Sequence, residues 1–183
     1  MLEKQIAYHC APALAGMKAS NLFACYRKKY PNAKNEIALL NQELNKNDIY
    51  IETVSECEKR LLLMVYRKDK LQKQLQDDAV SAFLNQFGYQ GCTDLFDYLR
   101  VLKQRVKNKE FPHEIGAFLG YPIQDIYGFL YHKEEGCLLV GEWRVYSDAE
   151  YANRMFLRFK KCRTALLKRV NNGDTLAQIF CAA

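Results

Sequence analysis

Four times along the chain an apolar run ends in a tyrosine and a helix-like pattern follows, and this recurrence restricts the fold more than any other feature. "NLFACY" closes on Tyr26, before Pro31 opens a segment carrying Ile37, Leu40 and Leu44. "LLLMVY" closes on Tyr66, before "RKDKLQKQL" with Leu71 and Leu75. "GAFLGY" closes on Tyr121, before "PIQDIYGFL" with Ile126, Phe129 and Leu130. "CLLVGEWRVY" closes on Tyr146, before "SDAEYANRMF". Short apolar runs bounded by turn residues read as strands, and apolar residues spaced three and four apart read as helices. Pro122 suits a first helical position, and Ser147 or Asp148 can cap the helix after Tyr146. The first unit is the most ambiguous, since "ASNLFACY" also fits a helical turn begun by Ser20.

Other segments complete the pattern. "DIYIETV" alternates Ile49, Ile51 and Thr53 on one face and pairs with "RLLLMVY" as an antiparallel hairpin through "SECEK". "DDAVSAFLNQF" reads as a helix stopped at Gly88. "TDLFDYLRVLKQRVK" reads as another, capped by Thr93 or Asp94, with Leu95, Leu99, Leu102 and Val106 on one stripe. The apolar runs at 61–66 and 137–140 imply strands buried on both faces, as under covering helices. The expected fold is α+β (mixed α/β), a sheet of roughly five strands covered by about six or seven helices.

With 183 residues and 49% hydrophobic content, the chain can bury one substantial core, so a single domain over 1–183 is expected. A charged fraction of 26% is that of a folded protein. No apolar run approaches the ~20 residues a bilayer requires; the longest spans Leu61 to Tyr66. The first residues, "MLEKQIAYHCAPALAG", lack the apolar stretch of a signal peptide. In the terminal "FCAA", Cys181 stands one position too late for prenylation. The seven cysteines contain no C-x-x-C pair. Their odd number, without a secretory signal, points to reduced and mostly buried thiols. A cytoplasmic protein without membrane attachment is expected. The sequence names no cofactor and sets no oligomeric state.

The net charge of +6 lies partly in "RMFLRFKKCRTALLKR", residues 154–169, which has no acidic member. On a helix, Ala152, Met155, Phe159, Cys162, Leu166 and Val170 form an apolar stripe opposite Arg154, Arg158, Lys161 and Lys168. Such a face is either ordinary solvated surface or a footprint for an acidic partner. Its aromatic residues lie on the core side rather than among the charges, which argues against nucleic acid.

Two stretches carry candidate chemistry. In "FPHEIGAFLGYP", His113 can act as a base and Glu114 as an acid. Alternatively the stretch is a structural strand-to-helix corner at Gly120-Tyr121-Pro122. Neighbours in a strand point to opposite faces, so both serve one site only if the strand begins at Ile115. Phe118 occupies the place of the second histidine of a zincin, and no phosphate-binding Gly-Lys-Ser/Thr follows the glycines. In "YHCAPALAGMK", Cys10 beside His9 suits a thiolate nucleophile, with Lys18 beyond Gly16 supplying positive charge. His9, Cys10 and His113 could alternatively bind a metal. If the strand–tyrosine–helix units run parallel, Tyr26, Tyr66, Tyr121 and Tyr146 gather at one sheet edge. Arg27 and Arg67 would join them, together with helix N-termini suited to a phosphate or carboxylate. The alternative is that each tyrosine caps the core with its hydroxyl in water.

"HCAPALAGMKASNLF", "FPHEIGAFLGYP" and "GEWRVYSD...A...F...KKC" resemble an uncharacterised bacterial family of unknown function, family 3793, over nearly the whole chain. The resemblance implies no activity. It does coincide with the candidates His9, Cys10, Lys18, His113, Glu114 and Tyr121, and with Trp143 and Tyr146. A cysteine often present in the family pattern is Leu139 here, which weakens a metal site built on it. The leading expectation is a small cytoplasmic enzyme whose Cys/His-centred pocket holds a small anionic ligand. Cys10 would be the nucleophile, His113 the base, His9 and Glu114 their partners, and Lys18 the anion contact. The alternatives are an adaptor using the basic helix toward an acidic protein or nucleic acid, and a metal-handling protein.

Overall fold

The structure, a computed structural model, describes residues 2–108 and 111–181. At its centre is a three-stranded antiparallel sheet of β1 (Ser20–Tyr26), β2 (Ile49–Glu56) and β3 (Arg60–Arg67), in the order β1-β3-β2. Central β3 is buried on both faces, which explains its unbroken apolar run. Leu61, Leu63 and Val65 join a core with α1 (Leu2–Leu14), α2 (Ala33–Leu44), α8 (Ala149–Asn171) and α9 (Leu176–Cys181). Met64 and Tyr66 join a second core on the other face. That core is built by α3 (Lys68–Leu75), α4 (Asp78–Asn85), α5 (Leu95–Arg105), α6 (Ile115–Phe118) and α7 (Ile123–His132). Each fully buried aliphatic side chain of β3 stabilises the sheet by roughly 1.5–3 kcal/mol.

A short hairpin, β4 (Leu139–Val140) with β5 (Arg144–Val145), forms a separate two-stranded sheet. Its Trp143 and Val145 pack on Ala152 and Phe159 of α8 in a third cluster. The apolar stripe expected on α8 is the one it buries, with Ala152, Phe159, Leu166 and Val170 inside. Asp77, Asp94 and Asp148 accept backbone N–H bonds at the starts of α4, α5 and α8.

Several expectations are corrected. The described residues hold nine α-helices rather than six or seven, and their five strands divide into three and two. The strand–tyrosine–helix units do not run parallel. In the antiparallel pairing Ser20 faces Tyr66 and Tyr26 faces Arg60, so Tyr26 and Tyr66 lie at opposite ends of the sheet. "GAFLGY" is not a strand: its first three residues end the short helix α6 and the rest form the turn after it, and because every residue from Ile115 to Leu119 is buried, the run has no period to betray the helix. The run at 137–140 is half-exposed hairpin rather than a covered strand.

Helix α1, for which the sequence reading singled out no periodic signal, holds Pro12 in its interior. Proline supplies no N–H to the carbonyl four residues earlier, that of Tyr8. Arg163 of α8 compensates by donating its Nε–H to that oxygen at 2.9 Å. The next N–H, of Ala13, bonds the Asn21 side chain at 3.1 Å. A residue that ordinarily breaks helices here ties α1 to α8 and β1.

Candidate functional site

Two glycine-closed helix ends bring two of the candidate side chains into position through the same device. At the end of α1, Met17 N–H bonds the Pro12 carbonyl at 2.8 Å and Gly16 N–H the Ala13 carbonyl at 3.0 Å. At the end of α6, Tyr121 N–H bonds Gly116 at 3.0 Å and Gly120 N–H bonds Ala117 at 3.2 Å. Both are Schellman closures, which need a left-handed residue; Gly16 has φ +68° and Gly120 φ +74°. Each reverses the chain sharply, one delivering Lys18 and the other Tyr121. The two ends are joined by Ser20, whose hydroxyl donates to the Phe118 carbonyl at 2.7 Å.

The third component is held by Asp125 of α7, only 2% exposed. Its carboxylate accepts from the Trp143 indole at 2.7 Å and from the N–H groups of Tyr146 and Ser147 at 2.8 Å. The Ser147 hydroxyl donates to it as well. This fixes the hairpin and therefore Glu142, which takes both oxygens of its carboxylate to Arg163 Nη2 at 3.0 and 3.3 Å. Tyr121 donates its hydroxyl to the Glu142 carbonyl at 3.1 Å and stacks on Trp143.

These segments enclose a cavity of about 430 Å³, lined among others by His9, Lys18, Asn21, Tyr121, Glu142 and Arg163. Lys18 is 8% exposed. Its ammonium lies 5.0 Å from the Tyr121 ring centre and 5.8 Å from that of Phe159, and it makes no hydrogen bond to the described residues. Burial, helped by the Arg163 charge and opposed by Glu142 and Cys10, draws the Lys18 amine down to about 8. Burial and Arg163 also lower the His9 imidazole, which stacks on Phe23 with ring centres 5.3 Å apart. Tyr121 is pushed up to about 12 by burial and by Glu142. With His9 neutral, two cations face one carboxylate. The wall therefore carries one positive charge in excess.

Of the expected site residues, the cavity unites His9, Lys18 and Tyr121. Cys10 points the other way, sealed in the core beneath α8 at 0% exposure. Burial pushes its thiol up, opposite to what a nucleophile requires. His113 and Glu114 diverge, as neighbours tend to. His113 is exposed, its ring edge on Phe129, and lines a separate apolar cavity of about 190 Å³ that shares only the Tyr121 wall. Glu114 is 1% exposed and paired with Arg105 of α5 in the second core. The two imidazoles thus face different hollows.

The remaining candidates hold the sheet ends. Tyr26 is exposed and Arg27 bonds Glu56 and the Cys57 carbonyl. Tyr66 donates to Glu52 at 2.9 Å, and Arg67 holds the carbonyls of Leu14 and Asn47. Arg154, Arg158, Lys161 and Lys168 all face solvent. Among the described residues no three His, Cys, Asp or Glu side chains come together to hold a metal ion. Nor, among them, is any helix long and apolar enough to cross a membrane. The sequence reading missed Arg163, Glu142 and Asp125. The signals present were weak: a proline four residues after Tyr8 that demands a donor, and a glutamate inside "GEW".

A family model described as "Protein of unknown function (DUF3793)" matches residues 6–180. No curated protein and no solved structure matches the chain.

Proposed function

Since the chain belongs to the DUF3793 family, whose description assigns no activity, we propose from the site itself that it binds a small anionic ligand in the cavity between α1, α8 and the β4–β5 hairpin. Lys18 and Arg163 are the direct partners, with His9 and Tyr121 beside them. The observation that carries this reading is Lys18. A side chain this buried, with no acceptor and an unbalanced positive wall, is complete only when an anion enters. Arg163 supports it, since its Nη1 group makes no hydrogen bond to the described residues while Nε and Nη2 are held rigidly. The seven free cysteines suit a reducing compartment, and we place the protein in the cytoplasm.

This reading keeps the anionic ligand expected from the sequence and moves its centre from Cys10 to Lys18. Thermal unfolding with acetate or inorganic phosphate, against chloride at equal ionic strength, tests it. A ligand at about a hundredfold over its Kd adds about 2.7 kcal/mol, or roughly 5–10 °C for a chain of this size. Lys18→Met and Arg163→Met should each abolish the specific shift. Equal shifts in wild type and both variants would contradict the reading.

A further inference from the structure

Lys18 enters the cavity from the Gly16 turn and lies over the rings of Tyr121 and Phe159, with only 8% of its surface exposed. The separate cation, Arg163, lines the same cavity, and its Nη1 makes no hydrogen bond to the described residues. Glu142 lies close enough to both for its charge to be felt at Lys18. A buried amine and a guanidinium able to anchor a carboxylate therefore line one hollow of about 430 Å³.

We infer that the Lys18 amine condenses with the carbonyl of a small oxo-acid, an aldehyde or ketone that also bears a carboxylate, whose carboxylate is held by Arg163. The inference rests on the anion-site reading and names its substrate class. The lone pair of Nζ attacks the carbonyl carbon and forms the C–N bond while the carbonyl oxygen takes up a proton. The carbinolamine then loses that oxygen as water, the nitrogen giving up its protons to it, and a C=N bond remains. No oxidant or reductant enters. A desolvated lysine beside a second cation is a recognised route to an amine neutral enough to attack. Its lowered basicity is consistent with that use, because half of it is unprotonated near pH 8.

The test is reductive trapping of the full-length protein at pH 7 with limiting glyoxylate and cyanoborohydride, read lysine by lysine in peptide mass spectra. Lys18 should be modified at least about tenfold faster than Lys34 or Lys46, whose side chains are 61% and 64% exposed. Formaldehyde, which has no carboxylate for Arg163 to hold, should show a smaller preference for Lys18 than glyoxylate does. Arg163→Met should reduce the glyoxylate preference for Lys18 to that seen with formaldehyde in the same variant. Should Lys18 react no faster than the exposed lysines, the imine proposal is overturned. Thermal stabilisation by acetate would then still show an anion site. Rapid trapping without any acetate or phosphate response would leave imine chemistry standing and remove the simpler reading. A glyoxylate preference that survives Arg163→Met would overturn the anchor.

Discussion

Replacing Lys18 with methionine should stabilise the protein, and the gain should depend on pH in a way no surface lysine can reproduce. The folded state lowers the Lys18 amine from 10.5 to about 8, chiefly by burial. At about 1.36 kcal/mol for each pKa unit, holding the ammonium in place costs about 3 kcal/mol at neutral pH. Below pH 8 both folded and unfolded chains carry the proton, and the cost is complete. Between 8 and 10.5 the unfolded chain binds a proton that the folded chain has released, so stability rises with pH. Above 10.5 neither carries it and the cost is gone. Urea unfolding of wild type and Lys18→Met, at intervals from pH 7 to 10.5 with reductant present, isolates this contribution as the difference between the two. The variant should be more stable by about 3 kcal/mol at pH 7, with the gap closing as pH 10.5 is approached. A pH-independent gap, or a variant less stable at pH 7, would refute the reasoning.

Other outcomes follow from the same packing. Cys57 is exposed and its thiol is lowered by backbone N–H groups of Lys59 and Arg60, whereas Cys10 is sealed; iodoacetamide should label Cys57 first and Cys10 last. Labelling of both at one rate would contradict that order. Gly16→Ala should cost about 1–2 kcal/mol in urea unfolding, because φ is +68° and a Cβ would stand 3.3 Å from Arg67 Nε. It should also weaken acetate binding by displacing Lys18, and an unaffected affinity would argue against that coupling. Arg105→Ala leaves the Glu114 carboxylate buried without its cation and should cost about 3 kcal/mol or more, with a neutral effect contradicting the pairing. Asp125→Ala orphans the Trp143 indole and two backbone N–H groups, so the Trp143 fluorescence should report a loosened hairpin; an unchanged spectrum would show that the carboxylate is dispensable.

The parts legible in the sequence were those written locally. The β2–β3 hairpin followed from the alternation of Ile49 and Ile51 beside the run ending at Tyr66, and its register confirms the pairing. Asp94 and Asp148 announced α5 and α8, and the buried stripe of α8 matched its spacing. What local pattern could not carry was strand direction. β1 and β3 are far apart in the chain, and only their pairing places Tyr26 and Tyr66 at opposite ends. α1 was not written locally, because the carbonyl that Pro12 leaves without its helical N–H is satisfied by Arg163, far along the chain. The site was half visible for the same reason. His9, Lys18 and Tyr121 stood out beside glycines and prolines, whereas Arg163 looked like any cation of a basic helix and Cys10 gave no sign of facing the core.

The most direct measurement on the central claim is an NMR titration of lysine Cε resonances, with Lys18 assigned by its loss in Lys18→Met. The free protein should show one lysine titrating near 8 rather than 10.5. Saturating acetate should move that midpoint upward, because an anion in the cavity favours the protonated amine. A Lys18 that titrates like a surface lysine, or whose midpoint ignores acetate, would contradict the account.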